Sequence, residues 1–206
     1  ENYIILNKEW TKEDFDNYYK NYSNPKNELP LGHIYKNELE KDIGKKFIYL
    51  HNKKHNCTLM SNHSTEDITC KFFLDNAFGD VLIFGIGLGY TVFPLLKDKN
   101  IKSIKIIEYD LELINLVGKY LNKFDEYNKL EIIYGDAFIY YRDLNDKFDT
   151  IWFDIWGNLF KSTLDEIYYS YKVYRKNLKD KDSLILSWCE NEMKDFFYKN
   201  YTSPGA

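Results

Sequence analysis

Gly79-Asp80-Val81-Leu82-Ile83-Phe84-Gly85-Ile86-Gly87-Leu88-Gly89-Tyr90-Thr91 decides the fold of this chain. Val81 to Phe84 is a short, unbroken apolar run bounded by glycines, as expected for a strand covered on both faces. Glycines then recur at every second position, so the backbone can turn sharply and approach a ligand where a Cβ would collide. From Thr91 to Leu96 the spacing of Val92, Leu95 and Leu96 predicts a helix. A strand, a glycine turn and a helix start bring backbone N–H groups to one point, which is the layout of a nucleotide-type site.

The spacing narrows the ligand. A dinucleotide turn reads G-x-G-x-x-G, and its third glycine lets helix and strand pack closely. Here Tyr90 stands at that position, and the pattern is Gly85, Gly87, Gly89. This argues against a nicotinamide-dependent oxidoreductase.

Downstream, strands and helices alternate. Strands are predicted at Ser103–Tyr109, Leu130–Tyr134, Phe148–Ile155 and Ser183–Trp188. Helices are predicted at Leu111–Asn122, Ala137–Leu144, Leu164–Leu178 and Glu190–Tyr201. That order implies βαβ units. The expected fold class is α/β, a Rossmann-like doubly wound, mostly parallel sheet with helices on both faces. Tyrosines at Tyr168, Tyr169, Tyr171 and Tyr174 follow helical spacing with Leu164 and Ile167, so core packing is favoured over base stacking.

Upstream, Thr11 reads as the N-cap of a helix carrying Phe15, Tyr18 and Tyr19. Asn24-Pro25 and Leu29-Pro30-Leu31-Gly32 read as breaks. Lys46–Leu50 and Cys57–Met60 flank a polar segment and predict a β-hairpin. His51, His55 and Cys57 on that segment invite a metal reading, but without a second cysteine pair or a H-x-x-x-H helix a solvated hairpin tip is preferred, and no metal is expected. Ser64-Thr65-Glu66-Asp67 resembles a capping box opening a helix with Ile68, Phe72 and Phe73. The expected organisation is an N-terminal helix and β-hairpin extension over 1–62 and a Rossmann-like domain over 63–206.

The 206 residues, 44% of them hydrophobic, suffice for one α/β core plus an extension. A net charge of −4 gives no basic field for nucleic acid or an anionic membrane. No apolar run reaches the roughly 20 residues of a membrane helix. The three scattered cysteines, Cys57, Cys70 and Cys189, argue for a reducing, cytoplasmic setting. Because the sequence starts at Glu1 without a Met, it is compatible with a piece of a longer product.

The candidate site residues sit where strands end. Glu108 closes the second parallel strand, followed by Tyr109, and a carboxylate there suits ribose hydroxyls. Asp136 and Ala137 follow the next strand. Asp136 suits an adenine amino group or a helix cap, and Phe138 a purine wall. Asp154 emerges from an apolar run and calls for a cationic partner. Trp156 and Asn158 follow it as candidate walls of an acceptor pocket.

Over residues 79–190 these motifs resemble class I S-adenosylmethionine-dependent methyltransferases, and within them the spermidine-synthase-like branch. The resemblance implies S-adenosyl-L-methionine as cofactor. It would be held by Gly85, Ile86, Gly87, Leu88, Gly89, Glu108, Tyr109, Asp136, Ala137 and Asp154, with Asp154 also the candidate catalytic acid or base. It implies methyl transfer to an unidentified small-molecule or protein acceptor, and is compatible with a homodimer. Polyamine synthases place an Asp where this chain has Leu88, a Tyr-His-Glu run where it has Cys70-Lys71-Phe72, and Asp-Ser-x-Asp-Pro where it has Asp154-Ile155-Trp156-Gly157-Asn158. Aminopropyl transfer is therefore the alternative, alongside a non-catalytic S-adenosylmethionine-binding protein.

Overall fold

In the computed structural model, residues 2–21 and 28–199 are described. The Asn24-Pro25 break, Glu1 and the predicted helix end at Tyr201 lie outside them.

Among the described residues, eight strands form two sheets. The strands are β1 (Tyr3–Glu9), β2 (Lys46–Asn52), β3 (Cys57–Ser61), β4 (Gly79–Phe84), β5 (Ile101–Glu108), β6 (Leu130–Tyr134), β7 (Thr150–Phe153) and β8 (Leu184–Ser187). The first three make an antiparallel sheet in the order β1-β2-β3. The rest make a five-stranded sheet, β6-β5-β4-β7-β8, with every pair parallel. The predicted strand β4 is thus central, and the fold is the Rossmann-like α/β class.

Alternation along β4 explains the layers. Side chains of successive strand residues point to opposite faces. Val81 and Ile83 join Phe73 of α4 (Ser64–Asn76), Leu95 of α5 (Val92–Lys97), and Val117 and Leu121 on the following helical run in one core. Leu82 and Phe84 face the other way, onto Phe153 and Tyr174 of α8 (Thr163–Tyr174). Phe73 stacks on Trp152 at 4.4 Å, and Phe84 on Phe153 at 4.6 Å, so each face has an aromatic pair against β7. The predicted helix after β5 comprises α6 (Leu111–Leu113), a π-helical turn (Ile114–Gly118) and α7 (Lys119–Phe124).

The N-terminal extension holds α1 (Lys12–Asn21), α2 (Leu31–Ile34) and α3 (Lys36–Lys41) besides its sheet. Thr11 caps α1 as expected. Its hydroxyl accepts the Asp14 amide at 3.1 Å, and Asp14 returns the bond by accepting the Thr11 amide at 3.0 Å. The predicted hairpin is β2 and β3.

Four expectations change. Leu29-Pro30-Leu31-Gly32 does not only break a pattern. Pro30 sits at the N-cap of α2, where its missing N–H costs nothing. Ser64 does not cap its own helix. The N-cap position is His63, and the buried Asp42 at the end of α3 accepts the Ser64 amide at 3.0 Å and its hydroxyl at 2.8 Å. The helix predicted at Ala137–Leu144 shrinks to a 3-10 turn at Tyr140–Arg142, because Asp136 accepts the Phe138 amide at 2.8 Å and holds a turn instead. The predicted strand at Phe148–Ile155 shortens to β7, with Asp154 already beyond it. The last helix is α9 (Glu190–Lys194), running into a π-helical turn at Asp195–Lys199.

Candidate functional site

A cleft of about 550 Å³ opens at the carboxyl ends of the parallel strands. Its walls include Gly85 and Gly87 after β4, Glu108 and Tyr109 at the end of β5, Asp136 and Ala137 after β6, and Asp154 after β7. The expected residues therefore meet, because parallel strands put all their C-terminal loops on one edge. Ile86, Leu88 and Gly89 belong to the same loop and do not line the cleft. Ile86 is buried, and a Cβ at Gly89 would press on Leu121. Phe138 and Trp156 also line it, whereas Asn158 does not.

The loop geometry needs its glycines. Gly85 has φ +94°, and a Cβ there would run into the Asp154 carbonyl oxygen. At Gly87, φ is +47°, and a Cβ would lie 2.6 Å from the Met60 sulfur. The approach of β3 to the loop therefore depends on the missing side chain.

Glu108 already carries structural bonds. Its Oε2 accepts the Ile86 amide and its Oε1 the Asp110 amide, both at 2.8 Å. Each oxygen keeps a further lone pair for a hydroxyl. Tyr109 stacks on Tyr134 with centroids 6.4 Å apart, both rings largely exposed.

Asp154 is half-buried where it lines the cleft. Burial pushes its carboxyl up to about 7, and no hydrogen bond or ion pair engages it among the described residues. Glu66, on the first turn of α4, lines the same cleft. Burial pushes its carboxyl up to about 8, with a further push from the charge of Asp154 and a compensating bond from Cys70. Among the described residues, the carboxyls of Glu66, Glu108, Asp136 and Asp154 line the cleft, and no Lys, Arg or His does.

Glu66 and Met60 escaped the sequence reading. Ser64-Thr65-Glu66-Asp67 looks like ordinary capping, and Met60 like a hairpin core residue. One signal was available. A helix that leads directly into a parallel strand runs antiparallel to it, so its first turn lies at the strand's carboxyl end, beside the cleft. His51, His55 and Cys57 sit on β2, its turn and the start of β3. No group of three potential metal ligands occurs among the described residues.

Residues 66–185, running from Glu66 to β8, match the spermine/spermidine synthase domain. The chain belongs to that family. Residues 3–117 match the glycosyltransferase Maf N-terminal domain, so the chain belongs to that family over its first half as well. No curated protein matches. Among solved structures, the spermidine synthase of Thermotoga maritima aligns over 64% of this chain and 46% of its own, at 21% identity and TM-score 0.48. The S-adenosylhomocysteine-bound methyltransferase PaMTH1 of Podospora anserina aligns over 63% and 53%, at 20% identity and TM-score 0.49. A precorrin 8w decarboxylase of Methanobacterium thermoautotrophicum aligns over 59% and 61%, at 15% identity and TM-score 0.45. The chain spans about half the length of the two transferases. No helix among the described residues is long and apolar enough to cross a membrane.

Proposed function

We propose that the cleft holds an S-adenosylmethionine-type sulfonium nucleoside and that the protein passes an alkyl group from it to an amine. The observation that carries this is the wall of the cleft, where a glycine turn and four acids converge without a cationic side chain. The residues fit the group. Glu108 retains lone pairs for two ribose hydroxyls, and Asp136, with one oxygen on the Phe138 amide, retains the other for an adenine amino group. Phe138 offers its ring to the purine, and the unpaired Asp154 favours positive charge nearby.

When bound, such a nucleoside supplies an electrophilic carbon whose C–S electron pair leaves onto sulfur as a neutral thioether. The protein's part is positioning, water exclusion and proton removal. As an amine nitrogen forms its new C–N bond, it must shed a proton. Glu66 and Asp154, poised near neutrality, can take it.

Two alkyl groups satisfy this chemistry. Methyl transfer from S-adenosyl-L-methionine is supported by Leu88 and by Gly157, positions where polyamine synthases carry an Asp. Aminopropyl transfer from the decarboxylated donor is favoured by Glu66. With it two acids, Glu66 and Asp154, face the cleft near each other, and an arm ending in an ammonium suits that pair better than one bearing a carboxylate. The cleft weighs toward the decarboxylated donor, against the preference that Leu88 alone suggests. The glycosyltransferase name is not carried over, since four acids give a nucleotide-sugar pyrophosphate nothing to pair with.

Mass spectrometry of reactions pairing each donor with a diamine tests this. An aminopropylated amine supports the favoured reading, and a methylated amine supports the other. No transfer from either donor, with both bound, contradicts alkyl transfer.

A further inference from the structure

We propose that Met60 selects the donor by covering the Leu88 amide of the glycine loop. The proposal rests on the reading that the cleft holds an adenosyl sulfonium nucleoside.

A glycine loop after a strand ordinarily presents its amides to an anion. Here four of the five amides from Gly85 to Gly89 are spoken for. Gly85 donates to the Ile107 carbonyl at 3.0 Å, Ile86 to Glu108 at 2.8 Å, and Gly89 to the Ile86 carbonyl at 2.7 Å. The Leu88 amide donates to the Met60 sulfur at 3.3 Å. Within Gly85–Gly89 only the Gly87 amide has no protein acceptor, and beyond it the Tyr90 and Thr91 amides have none among the described residues. Met60 arrives from β3, in the other sheet, and it lines the cleft.

The consequence follows from the two possible arms. A methionine arm brings a carboxylate, which needs N–H groups or a cation once it leaves water. In this cleft no cationic side chain among the described residues would meet it, and Met60 sits on the Leu88 amide it would use. An arm ending in an ammonium needs neither, and the acids favour it. A thioether is a weak, uncharged acceptor. It caps the amide without adding a charge that would repel the rest of the ligand. Removing Met60 therefore changes access to one N–H and leaves the charge of the cleft alone.

The test uses two stable thioethers, S-adenosylhomocysteine and its decarboxylated counterpart, which differ only by the arm carboxylate. Affinities are measured by calorimetry for the wild type, Met60→Ala and Met60→Leu. The wild type should prefer the decarboxylated thioether. Met60→Ala should narrow that ratio about tenfold, chiefly by tighter binding of S-adenosylhomocysteine. Met60→Leu keeps the apolar bulk and loses the sulfur, so it should shift the ratio the same way by a smaller factor, and it serves if the alanine variant does not fold. A wild type that binds both equally or prefers S-adenosylhomocysteine overturns the proposal, as does a ratio that stays within about twofold in both variants. If neither thioether binds the wild type, the cofactor reading falls and takes the proposal with it.

Discussion

Glu66, on the first turn of α4, and Asp154, just past the end of β7, face one cleft closely enough for the charge of Asp154 to raise the Glu66 carboxyl. Burial is the larger cause for Glu66 and the one cause acting on Asp154. The carboxyls stand at about 8 and about 7, above ordinary values of 4.5 and 3.8.

Stability should therefore fall as pH rises through that window. Both folded-state values lie above the unfolded ones, so between about pH 4 and pH 8 the folded chain binds more protons than the unfolded chain. The stability present at pH 4 to 5 is progressively lost toward pH 8, on the order of 1 kcal/mol or more after allowing for solvent screening. Calorimetric melting across this range should show the decline, and Glu66→Gln with Asp154→Asn should flatten it. A wild type whose melting temperature rises from pH 5 to pH 8 as steeply as the double variant's would contradict the assignment.

Binding a cationic nucleoside should release protons. A positive arm favours the ionised form of both carboxylates, so near pH 7 about one proton should leave. Titrations in buffers of different ionisation heat measure this directly. Net proton uptake would mean that the arm does not reach Glu66 and Asp154.

Glu108 joins the glycine loop to β5 through the Ile86 and Asp110 amides, so its replacement acts on binding and fold together. Glu108→Ala should weaken nucleoside binding by about 1.5–3 kcal/mol, as for lost bonds to a charged acceptor. Glu108→Gln should lose less, although its amide nitrogen must face one backbone N–H. Unchanged affinity in a folded Glu108→Ala would remove Glu108 from the ribose site.

Asp42 holds the start of α4 in place, and with it Glu66. It is buried and accepts from the Ser64 amide and hydroxyl, from Lys45 at 3.1 Å and, at 3.2 Å, from His63. Burial pushes its carboxyl up, and the bonds from Ser64, Lys45 and His63 more than offset this, holding it below the usual range. Asp42→Ala should cost about 3 kcal/mol, because it strips the Ser64 amide and hydroxyl and the buried His63 ring of their acceptor. Chemical denaturation reads the loss, and a change under about 0.5 kcal/mol would show that α4 is capped elsewhere.

What could be read from the sequence follows the range of the interactions. The run Val81–Phe84 and the glycines behind it are local signals, and they placed the central strand, the cleft edge and the acids Glu108, Asp136 and Asp154. β1 was not legible, because Tyr3–Glu9 becomes a strand by pairing with β2, some forty residues away. Asp42 as the cap of α4 is likewise non-local, and a plausible local capping box at Ser64 masked it. Met60 looked like hairpin filling because its contact with Leu88 joins two sheets. Glu66 carried the largest consequence. A missing acid at Leu88 argued against an amine-binding cleft, and in the proposed function Glu66, from another element, takes that part.

The central claim is that the cleft is built for an adenosyl sulfonium nucleoside, and a thermal-shift comparison tests it most directly. S-adenosylhomocysteine, its decarboxylated counterpart and NAD are each added at saturating concentration. A ligand at about 100 times its Kd stabilises the folded state by about 2.7 kcal/mol, or about 5–10 °C for a chain of this size. The account predicts a shift of that order with at least one of the two adenosyl thioethers, larger for the decarboxylated one, and none with NAD. A shift with NAD alone would contradict it.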